Sequence, residues 1–329
     1  MNCKNPIHFL CEKGQCHFAK NILEKLDLSY VSKEYVTSIG CLWGTVGAEI
    51  IWAEWASKGA LIASRYKRPW QKLVVRLHRY ELHRTTRMKK IRWANVDCVV
   101  FVNSELEGTF KELVDSSVPT VTIPNALDVD RFQLSEITSA NSIVSYSVSF
   151  SEVKAYHKLI RLIKAAVQLV PDIKLTIAAQ KPITDSQQNY HDRCAELVDM
   201  FGLSSVIKFQ YLDVNPNELE VQNNIKELLN SHNAVISYSD IESFHYSFAE
   251  GLLSGLQGFC RGWGEISLKE FWDNWIYENE EDFLTAIVEW ANTSVSERER
   301  IALENRKYVI NSFSADSVAK KFRELFRSL

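Results

Sequence analysis

Two glutamates eight residues apart, Glu242 and Glu250, enclose the uncharged stretch SFHYSFA. On a continuous helix this spacing is a little over two turns, which would place both carboxylates roughly on one face. If Glu242 lies in a loop before the helix, both side chains can still face one ligand from different heights. Ionised carboxylates accept hydrogen bonds only, so they suit ligands that carry neighbouring hydroxyl groups. A strand-to-helix turn with two solvated acids is the alternative.

Other residues whose side chains could take part in catalysis or binding also follow predicted strands. His78 comes directly after KLVVRL, Gly14 and His17 follow IHFL, and Lys154 follows SIVSYS. Glu242 itself follows the apolar run AVISYS. Open α/β sheets bind ligands at the carboxyl ends of their strands, and paired domains bind them in the cleft between. The positions of these residues therefore favour a functional interpretation of the two glutamates.

Short apolar runs alternate with longer amphipathic runs, which predicts parallel sheets covered by helices. Strands are predicted at 7–10, 49–53, 72–77, 97–102, 120–123, 142–147, 173–179, 206–212 and 234–239. Helices are predicted at 16–26, 104–114, 153–170, 187–201, 217–230 and 246–254. Ser104, with Glu107 three residues later, predicts a capping box at one helix start. The two sets of elements predict two doubly wound α/β lobes, with a break near the Pro-Asn turn at 124–125.

The composition indicates a soluble globular protein. Of the 329 residues, 46% are hydrophobic and 24% are charged, which is enough for a sizeable core. No apolar run approaches the roughly 20 residues that span a bilayer, and the N-terminus lacks the pattern of a signal peptide. The seven cysteines are scattered without metal-binding spacing, which favours free, buried thiols in a reducing cytoplasm.

Four segments resemble the large group-1 family of retaining nucleotide-sugar glycosyltransferases. VTIPNALDVDRF (121–132) is similar to the family's interlobe segment, and ESFHYSFAEGLLSG (242–255) resembles its E-x7-E signature. KAYHKLIRLIKAA (154–166) resembles the helix that opens the second lobe, and FSADSVAKKFRELF (313–326) resembles the C-terminal helix. The resemblance implies the GT-B fold: two Rossmann-like lobes, an interlobe cleft, and a last helix that packs back across the lobes. The expected domains are 1–130, 131–310 and 311–329.

The chain departs from the family's pattern at several positions, which suggests a divergent branch. Ala126 stands where a glycine usually follows Pro-Asn, and Ser243 and His245 replace the two inner glycines of the signature. Ser149 stands where an arginine commonly precedes the lysine by five residues, which puts one diphosphate contact in doubt. GLQGF (255–259) replaces the usual Gly-x-Pro-Val.

The resemblance also implies roles for individual residues. Glu250 would bind the ribose hydroxyls of the donor, and Glu242 would hold the donor sugar. Lys154 would stabilise the diphosphate leaving group, together with backbone N–H groups of the helix that begins near Tyr246. The remaining expected donor contacts are Ser243, Phe244, His245, Tyr246, Gly14 and His17.

His78 is expected to contact the donor sugar beside the reaction centre, with Glu81 orienting it; a structural hydrogen-bonding role is the alternative. For His17, a role at a helix N-terminus is the alternative. No Asp-x-Asp element lies where a metal would bind the diphosphate, so neither a metal nor another cofactor is expected.

The segment 64–93 combines eleven cations with one acid, Glu81, and four large aromatic residues. Such a segment suits an anionic membrane surface or an anionic acceptor, and this is the preferred interpretation. A solvated face is one alternative. Nucleic acid is the other, and it is not expected, because no nucleic-acid-binding motif accompanies the cations.

Together with these observations, the resemblance implies a cytoplasmic, metal-independent, retaining glycosyltransferase, peripheral on the inner face of the membrane. It would move a hexose or hexose derivative from a nucleotide diphosphate sugar to a glycan or lipid-linked acceptor in surface polysaccharide synthesis. A nucleotide-sugar epimerase of the same fold is one alternative. A catalytically silent partner that binds nucleotide sugar or glycan is the other.

Overall fold

A computed structural model describes residues 6–82, 85–114, 117–212, 219–263 and 268–329. The chain divides into two compact units. Unit 1 comprises Met1–Asp128 and Ser312–Leu329, and unit 2 comprises Val129–Asn311. The sequence had placed the corresponding boundaries at 130/131 and 310/311.

Unit 1 is built on a parallel six-stranded sheet. Its strands are β1 (Ile7–Glu12), β2 (Tyr30–Tyr35), β3 (Ile50–Glu54), β4 (Lys72–Leu77), β5 (Cys98–Phe101) and β6 (Thr120–Thr122). Its helices are α1 (His17–Glu24), α2 (Ser38–Thr45), α3 (Lys58–Tyr66), α4 (Arg79–Leu82), α5 (Thr85–Met88) and α6 (Glu105–Leu113). The strand order β2-β1-β3-β4-β5-β6 reverses direction between β1 and β3. A ligand crevice is expected at that reversal, beyond the carboxyl ends of the two strands.

Unit 2 repeats the architecture with a second parallel sheet. Its strands are β7 (Ser142–Tyr146), β8 (Lys174–Gln180), β9 (Ile207–Leu212), β10 (Ala234–Ser237), β11 (Gln257–Arg261) and β12 (Ile276–Tyr277). Its helices are α7 (Tyr156–Leu169), α8 (Asp185–Met200), α9 (Leu219–Asn230), α10 (Tyr246–Leu253), α11 (Lys269–Trp272) and α12 (Glu280–Ala291). The order β12-β11-β10-β7-β8-β9 is that of the Rossmann fold, and it reverses between β7 and β10.

Two C-terminal helices, α13 (Val295–Phe313) and α14 (Ala315–Ser328), complete the chain. Most of α13 belongs to unit 2, whereas α14 lies in unit 1, so the chain crosses back at its end. The Phe322 ring stacks on Trp52 of β3 with centroids 4.4 Å apart. Arg323 donates to the carbonyl of Lys25 at 2.8 Å. The expected C-terminal crossover helix is therefore present, and it closes the core of unit 1.

Each predicted strand is present, whereas three further strands were not predicted. The predicted strand 72–77 coincides with β4, whereas β2, β11 and β12 were not predicted. The capping box was wrong: Ser104 makes no side-chain cap hydrogen bond. The Asn103 side-chain oxygen accepts from the N–H of Glu105 at 2.8 Å instead. Glu107 accepts from the Thr120 hydroxyl and pairs with Lys111, so its carboxylate is not available to the backbone N–H of Ser104.

The six described cysteines are free thiols, and five of them are buried, as expected. Cys3 lies outside the described residues. Within the described ranges, no helix is long and apolar enough to cross a membrane.

Some cations of the segment 64–93 are buried or paired, while others are exposed, and the expected membrane or acceptor contact of the segment stays a prediction. Arg76 is fully buried in β4 and pairs with Glu54. Lys67 and Lys72 both pair with Asp97, and Arg65 donates to the carbonyl of Lys90. Arg84 lies outside the described residues. A count of cations along a sequence cannot separate those that a strand turns inward from those on the surface.

Candidate functional site

Lys154 and Glu242 meet where the second sheet reverses its strand order. Lys154 lies in the short 3-10 turn Glu152–Lys154 after β7, and Glu242 lies in the loop after β10. The Lys154 Nζ donates to Glu242 Oε1 at 2.5 Å. The N–H of Asp240 donates to the carbonyl of Val153 at 2.8 Å, which ties the two loops together. Strand order thus brings residues 88 positions apart into one ion pair.

Glu242 is held ionised by its neighbours. Burial would raise the pKa of the Glu242 carboxyl, but His245 and Lys154 outweigh it and keep this pKa below its usual value. Both side chains remain partly accessible, at 22% for Lys154 and 16% for Glu242. The pair therefore presents a cation and a carboxylate at the position where Rossmann folds bind nucleotides.

His245 caps the helix that carries Glu250. It adopts φ +63°, and its Nδ1 accepts from the N–H of Phe248 at 3.1 Å. Its Nε2 lies 3.4 Å from Glu242 Oε1, which fits a neutral ring that donates to the carboxylate. Burial lowers the pKa of His245 to about 4, despite the opposing charge of Glu242. One of the backbone N–H groups expected to face the diphosphate is thus already occupied.

Glu250 lies on α10 and accepts a hydrogen bond from the Tyr146 hydroxyl at the end of β7. Burial raises the pKa of the Glu250 carboxyl, while Tyr146 and the nearby Arg131 act in the opposite direction. Glu242 thus lies in a loop and Glu250 on the following helix, the second of the two arrangements considered from the sequence. Tyr146 was not identified from the sequence, because a tyrosine at a strand end has no specific pattern.

A cluster of charges adjoins this site and was also missed. Asp240 accepts from Lys158 at 2.7 Å and pairs with Arg261 at the end of β11. These three residues line a cavity of about 520 Å³. Arg261 also lies over the rings of Tyr238 and Trp263. No sequence pattern indicated the cluster, because β11 was not predicted.

In unit 1, His78 belongs to a buried polar network. Its Nε2 lies 2.9 Å from Glu54 Oε1, and Arg76 donates to the same oxygen at 3.1 Å. Arg76 also donates to the Asn125 side chain at 2.7 Å. Burial raises the pKa of Glu54, but Arg76 and His78 outweigh it and lower this pKa overall. Burial lowers the pKa of His78, although Glu54 acts against it, so the ring is neutral at pH 7.

The expected orienting role of Glu81 was wrong. Its carboxylate accepts from the backbone N–H groups of His78 and Ala56 and does not meet the imidazole. Glu54, which sequence reasoning missed, holds the ring instead. The available signal was a single acid at the end of the apolar strand IIWAE. Burial raises the pKa of Glu81 to about 8, against these two hydrogen bonds.

Aromatic rings enclose His78. The Trp55 ring stacks on it with centroids 4.1 Å apart, and the Phe18 ring lies 5.0 Å away on a tilt. Trp55 adopts φ +69°, a strained conformation for a bulky residue, and its indole donates to the carbonyl of Gln15 at 3.2 Å. Strain of this kind is concentrated at functional sites, so Trp55 is a candidate site residue that the sequence did not reveal.

A cavity of about 950 Å³ lies at the reversal point of the first sheet. Its lining includes Glu12, His17, Trp55, Glu81, Arg87 and Lys90. Two expected residues, Gly14 and His17, follow β1 here. Gly14 adopts φ +84°, which suits glycine. His17 is exposed at the start of α1, and the Phe18 ring contacts both His17 and His78, with centroids 4.0 Å and 5.0 Å away, so the structure brings these two histidines together.

The other expected donor residues occupy the loop between β10 and α10. Phe244 is 1% exposed, and its carbonyl accepts from the Trp272 indole at 2.9 Å, so its ring belongs to the core. Ser243 and Tyr246 are half-buried, and Tyr246 is the first residue of α10. The carbonyl of Ser149 accepts from the Ser147 hydroxyl at 2.8 Å in the loop after β7. Across the described part of the chain, no group of three or more His, Cys, Asp or Glu side chains forms a metal-binding cluster.

Solved structures share this fold. The chain is similar to Anabaena Alr3699/HepE in complex with UDP, at a TM-score of 0.72 and 16% identity, over 98% of this chain and 100% of that one. It is similar to sucrose-phosphate synthase from Thermosynechococcus elongatus, at a TM-score of 0.66 and 14% identity, over 92% of this chain and 81% of that one. It is also similar to TarM, at a TM-score of 0.65 and 14% identity, over 88% of this chain and 58% of TarM.

No protein-family model and no curated protein matches the chain. The structural likenesses confirm the expected fold of two Rossmann-like units, the GT-B fold.

Proposed function

We propose that the protein is a retaining, metal-independent glycosyltransferase. It moves a hexose or hexose derivative from a nucleotide diphosphate sugar to a glycan or lipid-linked acceptor in surface polysaccharide synthesis, in the cytoplasm at the inner face of the membrane. The observation that carries the proposal is the pairing of Lys154 with Glu242 at the reversal point of the second sheet, with Glu250 on the helix that follows. Structures with the same fold were solved with UDP and glucose and with UDP-glucose.

Each charged residue has a proposed role in binding the donor. Glu250 accepts hydrogen bonds from the ribose hydroxyls, and Glu242 accepts them from the hydroxyls of the sugar. Lys154 offers its charge to the diphosphate as the bond to the anomeric carbon breaks. Because negative charge grows on the leaving group during this step, an interaction with Lys154 strengthens in the transition state.

His78 is proposed to contact the donor sugar. A neutral imidazole fixed by Glu54 offers a polar atom without a competing charge while the sugar acquires oxocarbenium character. The adjoining cavity in unit 1 is proposed to receive the acceptor. The Trp55 ring there offers an apolar platform, and Glu12, Arg87 and Lys90 offer charged contacts for polar substituents.

One observation favours a catalytically silent nucleotide-sugar-binding protein as a second candidate. His245 occupies the N–H of Phe248, and both His245 and Lys154 already lie against Glu242. A donor must compete with these contacts in order to bind. A catalytically silent protein would bind the nucleotide sugar at this site and leave the bond to the sugar intact.

Product analysis separates the candidates. The purified protein is incubated with a panel of UDP-, GDP- and ADP-sugars, with and without a saturating chelator. A glycosyltransferase slowly releases free sugar and nucleoside diphosphate, and we expect equal rates in both conditions because Lys154 serves the diphosphate. An isomerised nucleotide sugar would indicate an epimerase, and binding without turnover would indicate a silent protein. Loss of turnover on chelation, restored by magnesium or manganese, would contradict metal independence.

A further inference from the structure

Helix α2 presents an uncovered apolar face. Its sequence, SIGCLWGT, contains no charged residue. Exposed apolar side chains recur on and beside the helix at helical spacing. They are Val36 (66% exposed), Ile39 (69%), Leu42 (42%), Trp43 (70%) and Val46 (49%). These five residues are termed the α2 strip.

The opposite face of α2 is already used by the core. Cys41 is fully buried, and a Cβ at Gly44 would lie 2.6 Å from the Leu10 side chain, so the helix packs closely on β1. A surface helix normally carries polar residues on its outer side. This helix is apolar on both sides, and an exposed apolar patch usually marks an interaction site.

Cations border the α2 strip. The stem of Lys33 lies against Gly44, where a Cβ would be 3.5 Å from the lysine Cβ. Lys58 donates to the carbonyl of Val36 at 3.3 Å. At the far end, Gln71 donates to the carbonyls of Thr45 and Ala48, and this holds the turn that carries Arg68 beside the helix.

Two acids also lie nearby in sequence. Glu34 points to the opposite face of β2 from Lys33, because successive side chains of a strand alternate. The charge of Glu34 acts on Cys16. Glu49 follows the strip, immediately before β3. The charge of Glu12 also acts on Cys41 of α2, but Glu12 pairs with Arg87. Lys33, Lys58 and Arg68 outnumber the remaining acid, Glu49, so the surroundings of the strip favour an anionic partner.

We propose that the α2 strip docks the protein on an anionic lipid bilayer. Apolar side chains with a tryptophan enter the boundary between headgroups and acyl chains, and cations at the rim meet the lipid phosphates. A second copy of this chain suits the strip less well. An eight-residue helix is about 12 Å long, and a stable protein interface needs about 20–30 residues on each side. The inference does not depend on sugar transfer.

Vesicle flotation tests the proposal with the full chain. Vesicles of phosphatidylcholine with phosphatidylglycerol are compared with vesicles of phosphatidylcholine alone. We expect the wild type to bind the anionic vesicles, and Ile39→Ser/Trp43→Ser to lower the partition coefficient by about tenfold or more, because two apolar side chains lose their place in the lipid. Lys33→Glu/Lys58→Glu should weaken binding to anionic vesicles only.

Control variants distinguish loss of the α2 strip from a general loss of exposed apolar surface or of stability. Ile183 and Met200 are 81% and 74% exposed and belong to unit 2, whereas α2 belongs to unit 1, so Ile183→Ser/Met200→Ser removes similar apolar surface without changing α2. This control should bind vesicles as the wild type does, and all variants should keep the wild-type melting temperature. Equal flotation of the strip variant and the wild type would overturn the proposal. So would a wild-type dimer in light scattering that the strip variant dissociates, which would assign the strip to a second copy.

Discussion

Glu250 is the residue whose proposed role is easiest to isolate, because a ribose clamp acts before any chemistry. We expect Glu250→Ala to weaken binding of the preferred nucleoside diphosphate by about 10- to 100-fold, the usual worth of hydrogen bonds to a charged group. Tyr146→Phe keeps the carboxylate and removes only the hydroxyl bonded to it, so its effect should be smaller. Isothermal titration calorimetry with UDP, GDP and ADP measures both. Equal affinities in wild type and Glu250→Ala would remove the ribose role.

His78 needs a gentler substitution than alanine. The ring is 6% exposed, packs between Trp55 and Phe18, and bonds to buried Glu54. Truncation to alanine would leave a cavity and deprive Glu54 of a partner, so it should lower the melting temperature as well as turnover. His78→Gln keeps a donor in place. We expect it to lower kcat by about 10²-fold with only a few-fold change in donor affinity.

A second buried histidine provides the control for His78. His232 in unit 2 is 8% exposed and bonds to the Leu228 carbonyl and the Thr176 hydroxyl. His232→Gln should shift the melting temperature and leave kcat near the wild-type value. If His78→Gln behaves in the same way, His78 is a structural hydrogen-bonding residue and the proposed contact with the sugar is wrong.

Helix α10 depends on an unusual cap, which makes a prediction at the scale of one element. His245 sits at φ +63°, a conformation that glycine adopts without strain, while its ring occupies the N–H of Phe248. His245→Gly should therefore change the melting temperature little and tighten binding of the nucleoside diphosphate, since one more N–H is free for phosphate. His245→Ala loses the cap and keeps the strain, so it should be less stable than the glycine variant. Weaker diphosphate binding in His245→Gly would contradict this.

The same residue predicts a pH dependence. The pKa of His245 falls from 6.5 to about 4 on folding. Between these values the unfolded chain binds the proton and the folded chain does not, so stability is lost as pH falls through this window. Thermal melts of wild type and His245→Gly between pH 7 and pH 4 measure the effect. The glycine variant should lose less stability on acidification, and parallel curves would show that His245 does not contribute.

The sequence predicted the strands in which apolar residues are concentrated and missed those with polar residues or glycine. β4 is recognisable because four of its six residues are apolar, as expected for a strand buried on both faces. β2 escapes because most of its side chains are exposed and YVSKEY has no apolar alternation. β11 escapes because it contains Gly258, where a Cβ would lie 2.8 Å from Leu252, Phe248 and Trp275. Close packing requires glycine at this position, but glycine has a low β propensity and therefore argues against a strand in a prediction from sequence.

The site was predictable where a motif spans neighbouring residues, and not where folding joins distant ones. Glu242 and Glu250 stand out by their spacing. The partners Glu54, Trp55 and Tyr146 do not, because their importance depends on which strands become neighbours. Nothing in AVISYS or SIVSYS states that β10 pairs with β7, yet this pairing places Glu242 against Lys154. The resemblance to a family supplied that pairing indirectly; residue patterns alone did not.

At the scale of the whole molecule, the basic segment shows the limit of composition. One of its cations lies in the core, two pair with Asp97, two line a cavity, and others are exposed. The surface that we propose to meet a membrane is α2, whose neighbouring cations come from β2, α3 and the turn before β4. Only the fold assembles residues from these elements into one face.

The configuration of the transferred sugar tests the central claim most directly. An α-linked nucleotide sugar is converted by the purified protein, and proton NMR follows the anomeric signals before mutarotation mixes them. A retaining glycosyltransferase releases the α-anomer first, together with nucleoside diphosphate, and Glu242→Gln should slow this release. Initial appearance of the β-anomer, an isomerised nucleotide sugar, or bound donor that stays intact would contradict it.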